Sequence, residues 1–251
     1  MNKRIIFLIM AVGLTLTAAT SCKTDKPTDN KTEPYVSDVT PSEENYIPTN
    51  SSSELPKSTN QNMIDTMTAA ERREVNTYFS NFAEAFFESY GGEKSGDEDF
   101  FLINFAFIHN MININDSIEW SNERMGISID LVNKTLDRFF GINVAPKDAF
   151  TTRGIGYTYE NGMFWIEAAS GESYDYFAIV TDMRSNDDGT LSVIYKEYYA
   201  GYDELTKECY SFDEAEAEQK AEYRRSVSAT VRPKTYNGKN TYEVIKMEPH
   251  Q

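Results

Sequence analysis

Reactive side chains are scarce in this sequence. It has two cysteines and two histidines in 251 residues, and Cys22 and Cys209 stand too far apart in sequence for the Cys-x-x-Cys spacing of a redox pair or a zinc site. No Gly-x-Ser-x-Gly elbow, His-Glu-x-x-His pair, phosphate loop or complete dinucleotide glycine pattern occurs. Gly154-Ile155-Gly156 precedes a strand, the wrong context for a phosphate cradle. Asp187-Asp188-Gly189 has the look of a calcium loop. Aligned on its glycine, however, Arg184 takes the first ligand position and Tyr195 the last, and neither can ligate. Positive charge is also short, at 24 Lys and Arg against 40 Asp and Glu, a formal charge of −16. Nucleic acid and anionic lipid surfaces demand basic contacts, so neither is an expected partner. No metal or cofactor is expected.

Beyond Ala19 no run is long and apolar enough to cross a bilayer, which takes about 20 residues. The first 19 residues are different. Lys3 and Arg4 precede an apolar stretch from Ile5 to Ala19, the basic start and short apolar core of a secretory signal peptide. Ala19-Thr20-Ser21-Cys22 then resembles the lipobox of bacterial lipoproteins. The resemblance implies that residues 1–21 are removed and that Cys22 becomes an acylated N-terminus, with Ala19 in place of the usual leucine. Each buried methylene contributes about 0.8 kcal/mol and one chain alone binds marginally. The two or three chains typical of such proteins would make membrane lipid a lasting partner. The expected location is the cell envelope, outside the cytoplasm.

Residues 22–62 read as the lipidated cysteine and a disordered linker. Five of the eight prolines fall here (Pro27, Pro34, Pro41, Pro48 and Pro56), and no apolar period offsets the entropy of ordering. Its reach is roughly 35 Å, from about 5–6 Å times the square root of its length.

Residues 63–251 read as one globular domain. Thr68-Ala69-Ala70-Glu71 is a capping box. Val75, Phe79, Phe82, Phe86 and Tyr90 follow at helical spacing, with Gly91-Gly92 as the stop. A second helix from about Asp97 to Asn110 is apolar nearly all round and should be the most buried. Ser128 caps a third, with Val132, Leu136 and Phe139 inward and Gly141 past its end. After Thr151 the apolar period becomes two. Asn161-Gly162 between 157–160 and 163–166 is a type I′ hairpin signal, with Tyr157, Tyr159, Phe164 and Ile166 on one face and Met163 and Trp165 on the other. Segments 174–181 and 191–199 flank a turn at 185–189. Val227, Ala229 and Val231 mark a half-buried strand, 241–247 pairs with it beyond Asn237-Gly238, and 212–222 is a short acidic helix. The expected fold class is α+β, with three N-terminal helices on an antiparallel meander sheet. That element order is similar to cystatin-like and nuclear-transport-factor-like folds.

The stretches 105–110 (Phe-Ala-Phe-Ile-His-Asn), 136–141 (Leu-Asp-Arg-Phe-Phe-Gly) and 234–238 (Lys-Thr-Tyr-Asn-Gly) resemble lipoproteins of gut Bacteroidetes and clostridial type that have no assigned activity. The resemblance implies an envelope location and no particular reaction.

Candidate site residues are few. His109 is the one histidine inside a structured segment, and histidine titrates near neutrality; the spacing fits a hydrogen-bonded core residue as well. His250 is next to last. Asp97, Glu98 and Asp99 suit a helix N-terminus, and Glu214, Glu216 and Glu218 a solvated face. Trp165, Tyr174, Tyr176, Tyr195, Tyr198, Tyr199 and Tyr202 lie on or beside strands, where amphipathic rings can stack on a sugar or grip a peptide. Trp165, Tyr176 and Tyr195, with His109, are the candidate ligand contacts. Taken together, the sequence leans away from an enzyme and towards an anchored domain that binds an extracytoplasmic ligand or protein. The alternatives are an envelope hydrolase using His109 or a carboxylate pair, and a structural component of an envelope complex.

Overall fold

Thr68 opens the first long helix as its pattern predicts. Its hydroxyl accepts from Glu71 N, and the Glu71 carboxylate accepts from Thr68 N at 2.7 Å, so two orphan amides are satisfied at once. A computed structural model describes residues 61–92, 97–114, 116–168, 176–200 and 208–250. Residues 1–60, with the expected leader, Cys22 and most of the expected linker, lie outside the described residues, as do Tyr174 and Tyr202.

Among the described residues, four α-helices run Ala69–Glu84 (α1), Glu98–Asn113 (α2), Ile129–Phe140 (α3) and Glu214–Lys220 (α4). The described residues also hold nine strands, Glu119–Ser121 (β1), Arg124–Ser128 (β2), Ala149–Phe150 (β3), Gly156–Glu160 (β4), Met163–Glu167 (β5), Tyr176–Ser185 (β6), Leu191–Tyr199 (β7), Glu222–Tyr236 (β8) and Lys239–Pro249 (β9). The fold is α+β. Its strands form two antiparallel sheets, in the orders β1-β2-β5-β4-β3 and β6-β7-β8-β9, where the sequence suggested one meander. α1 packs on β6 and β7, α3 touches both β9 and β2, and α2 packs on α1, α3 and β3. α1, α2 and α3 are therefore a layer shared by the two sheets, while α4 packs on β6 and β8. Among the described residues, no helix is long and apolar enough to cross a membrane.

The core is aromatic. Phe79, Phe82, Phe105, Phe139, Tyr157 and Phe164 are all at 0% exposure, each worth about 1.5–3 kcal/mol or more relative to exposure. Phe82 stacks on Phe105 at 5.1 Å, and Phe139 meets both edge-on. α2 buries residues on every side, as its composition requires. α3 has Ser128 as its cap and Gly141 at φ 66° as its stop.

Hairpins follow their turn residues. Asn161 and Gly162 take φ 52° and 83°, and Asn237 and Gly238 take 50° and 75°, the paired positive values of a type I′ turn. Tyr157, Phe164 and Ile166 face inward and Trp165 outward. A hairpin that no glycine announces, β1–β2, sits between α2 and α3. Its turn is Asn122-Glu123, at φ 47° and 65°.

β6 is an edge strand, and an edge exposes a row of unpaired amides. Polar side chains cover this one. Ala178 N donates to Ser80 Oγ at 2.9 Å, Val180 N to Asn76 Oδ1 at 2.9 Å, and Met183 N to Asn62 Oδ1 at 3.0 Å. That explains why α1 buries Asn76 and Ser80 among its phenylalanines.

Candidate functional site

In β7 the inward positions alternate as Leu191, Val193, Tyr195 and then Glu197. A carboxylate thus occupies a core position, at 0% exposure, which demands compensation. The compensation comes from a bulge. Glu197 pairs with Arg225 and Tyr198 with Tyr223, so Arg224 is the extra residue in β8. A bulge sets two residues against one and re-aims their side chains. Here both guanidiniums meet one carboxylate: Glu197 Oε2 accepts from Arg225 Nε at 2.7 Å and from Arg224 Nη1 at 3.0 Å. Arg225 also pairs with Glu88. Glu197 Oε1 and Arg225 Nη2 are buried without a hydrogen-bond partner among the described residues.

The end of α1 supplies the next wall. Its apolar period runs on to Phe86 and Tyr90, but the helix stops at Glu84. Phe86 takes φ 54°, with Phe86 N donating to Ala83 O and Phe87 N to Phe82 O. This is a Schellman stop with phenylalanine in the left-handed position that glycine normally fills. A left-handed residue costs about 1–2 kcal/mol. The strain puts the Phe86 ring edge-on to Tyr176 at 4.8 Å and 4.7 Å from the Arg224 guanidinium. Arg224 lies 5.0 Å from the Tyr176 ring as well, and Tyr176 pairs with Tyr199 across β6 and β7, centroids 5.5 Å apart. The arginine side chain, 29% exposed, is thus packed against two half-buried rings, near the C-terminal end of α1 whose dipole favours a cation. Gly91, expected as the helix stop, instead lets the chain cross β9. A Cβ there would sit 2.3 Å from Ile245 O, and Tyr90 bridges to Met247.

Electrostatics follow from the burial. Loss of water pushes the Glu197 carboxyl up to about 7 against the pull of Arg224, and lowers Arg225 to about 10. The cluster combines a buried acid able to hold or lose a proton at neutral pH with an arginine open to solvent.

The four residues singled out from the sequence are scattered. His109 lies in α2 at 7% exposure. Its Nδ1 is 2.8 Å from Asn81 Oδ1, and its ring is stacked on Phe105 and meets Phe139 edge-on. Burial, with Arg138 nearby, lowers it to about 4, so it is a neutral core residue and no general acid–base at neutral pH. Tyr195 is also core, at 0%, its hydroxyl donating to Met247 Sδ; as placed, neither it nor His109 meets a solvent-borne ligand. Trp165 is half-buried on the outer face of the five-stranded sheet. It lies over Gly126, with Arg124 at 5.2 Å, itself paired with Glu160. Tyr176 belongs to the cluster above. Tyr198 is buried on the opposite face of its sheet, stacked on Phe177 in a small second core with Cys209 and Ala217.

The acidic runs serve structure. Asp97 accepts from Thr152 N, Asp99 pairs with Lys147, and Glu214 and Glu218 pair with Lys196. Among the described residues, no three His, Cys, Asp or Glu side chains gather in a way that could hold a metal. Glu197 was missed from the sequence, though it continues the period-two series of β7. Arg224-Arg225 could not be assigned to it, because the bulge is a non-local register shift. No family model, curated protein or solved structure matches this chain.

Proposed function

We propose that this chain is an exported lipoprotein, anchored to the envelope membrane by acyl chains on Cys22, whose folded domain binds a ligand without transforming it. The observation that carries the binding reading is the Arg224 guanidinium, packed against Phe86 and Tyr176 and bonded to a fully buried carboxylate. Strain at Phe86 and burial of Glu197 both cost stability, and such costs collect at functional sites. Catalysis is not part of the reading, since His109 is neutral and enclosed. The anchor rests on the residue pattern from Lys3 to Cys22 and on the resemblance at that cysteine.

Two measurements test the reading. Radiolabelled palmitate fed to cells expressing the full chain should label the wild type and not Cys22→Ser; an unlabelled wild type refutes the anchor. For binding, envelope saccharides, peptides and small aromatic acids are screened by thermal shift. A ligand at a hundred times its Kd stabilises by about 2.7 kcal/mol, several degrees in Tm for a domain this size. The shift should vanish in Tyr176→Ala. A shift unchanged in that variant, or none across the screen, refutes binding at this site.

A further inference from the structure

The chemistry of the cluster narrows the ligand. Arg224 spends one N–H on Glu197, and its remaining N–H groups have no hydrogen-bond partner among the described residues. The guanidinium lies over two aromatic rings, and the side chain is 29% exposed. A guanidinium edge of that kind takes a planar oxyanion through paired charge-assisted bonds, while the rings favour a flat apolar body. Charge balance adds a condition. Arg224 and Arg225 from β8 face Glu197. Tyr176 from β6 and Tyr195 from β7 itself feel its charge, Glu222 from β8 acts on Tyr176 beside Arg224, and Glu88, from the segment after α1, acts through Arg225. With all three acids ionised, two positive charges face three negative ones and nothing is left to hold an incoming anion. A proton on Glu197 removes one of those three negative charges and brings the two signs level, so that an oxyanion can bond to Arg224 without facing a net negative cluster.

We infer that the site takes an aromatic or similarly flat ligand bearing an oxyanion on Arg224, and that Glu197 takes up a proton as the ligand binds. The inference rests on the binding reading above and adds the ligand's charge and its coupling to protons. An anion a few ångströms from Glu197 disfavours the ionised carboxylate, and by linkage the proton raises affinity for the anion to the same extent. The burial that already lifts Glu197 to about 7 places this exchange in the neutral range.

The test uses phenylacetate and phenyl phosphate as oxyanion probes and phenylacetamide as the neutral isostere, titrated by calorimetry against the folded protein from pH 6 to 9. Either anion should bind, with affinity falling about tenfold per unit above pH 7; which of them binds says whether carboxylate or phosphate is preferred. Arg224→Gln should weaken binding tenfold or more. Glu197→Gln should remove the pH slope, and retention of its native circular dichroism would show that this is no failure to fold. Amide binding as tight as the anions', anion binding indifferent to Arg224→Gln, or a slope surviving in Glu197→Gln would overturn the inference. If no probe binds while another ligand gives a Tyr176-dependent thermal shift, this inference falls and the binding reading stands. If neither occurs, both fall.

Discussion

Glu197→Gln isolates which effect wins at the bulge, burial or the paired arginines. Glutamine keeps the shape of the side chain and cannot ionise. If burial wins, the folded carboxyl titrates near 7 while the unfolded one titrates near its ordinary value of 4.5. The unfolded state then gives up its proton first, so this group's contribution to stability is intact below about 4.5 and is lost as pH rises through 7. At 1.36 kcal/mol per unit, the full loss is about 3 kcal/mol, and roughly 2–3 kcal/mol of it falls between pH 5 and 8. Urea unfolding of both proteins at pH 5, 6, 7 and 8 gives the two curves, and the other titrating groups cancel in their difference. The variant should gain on the wild type by that amount as pH rises. Parallel curves, or a wild type that gains on the variant, would mean that the guanidiniums keep Glu197 ionised. The reasoning about its proton would then be wrong.

Three further outcomes follow from single residues. His109, lowered to about 4 from 6.5 by burial, contributes stability that is present above pH 6.5 and lost as pH falls through 4, about 3 kcal/mol in all; urea unfolding of His109→Gln should show a correspondingly shallower acid loss. Glu123→Gly relieves an exposed left-handed residue at φ 65° and should stabilise by about 1 kcal/mol, raising Tm in calorimetry by about 2–4 °C. Gly126→Ala puts a Cβ 2.7 Å from the Trp165 ring, so it should cost about 1–3 kcal/mol and move tryptophan fluorescence to the red as the indole is displaced.

What the sequence made legible was local. Thr68 with Glu71, Ser128 with Gly141, and Asn161-Gly162 each act through bonds a few residues apart, and the structure places all three as their chemistry requires. What it hid depends on distance or on strain. Nothing in the run from Val75 to Tyr90 marks Phe86 as the residue that breaks the helix, because its left-handed φ is held by packing on Tyr176 and Arg224. The β1–β2 hairpin escaped notice because Glu123 stands where a glycine would announce the turn. The division into two sheets has no local signature, since a hairpin reads alike in either. At the site, Tyr176 was visible as a strand aromatic, whereas Glu197 needed its register and its arginines needed the bulge.

Glu197 itself can be watched. With glutamate labelled at Cδ and the resonance assigned by its disappearance in Glu197→Gln, the carboxyl is followed by NMR from pH 4 to 9, without and with phenylacetate. A midpoint near 7 that moves higher when the anion is present is the expected result. A midpoint near 4, unchanged by the anion, would contradict the account of this cluster as a proton-linked binding site.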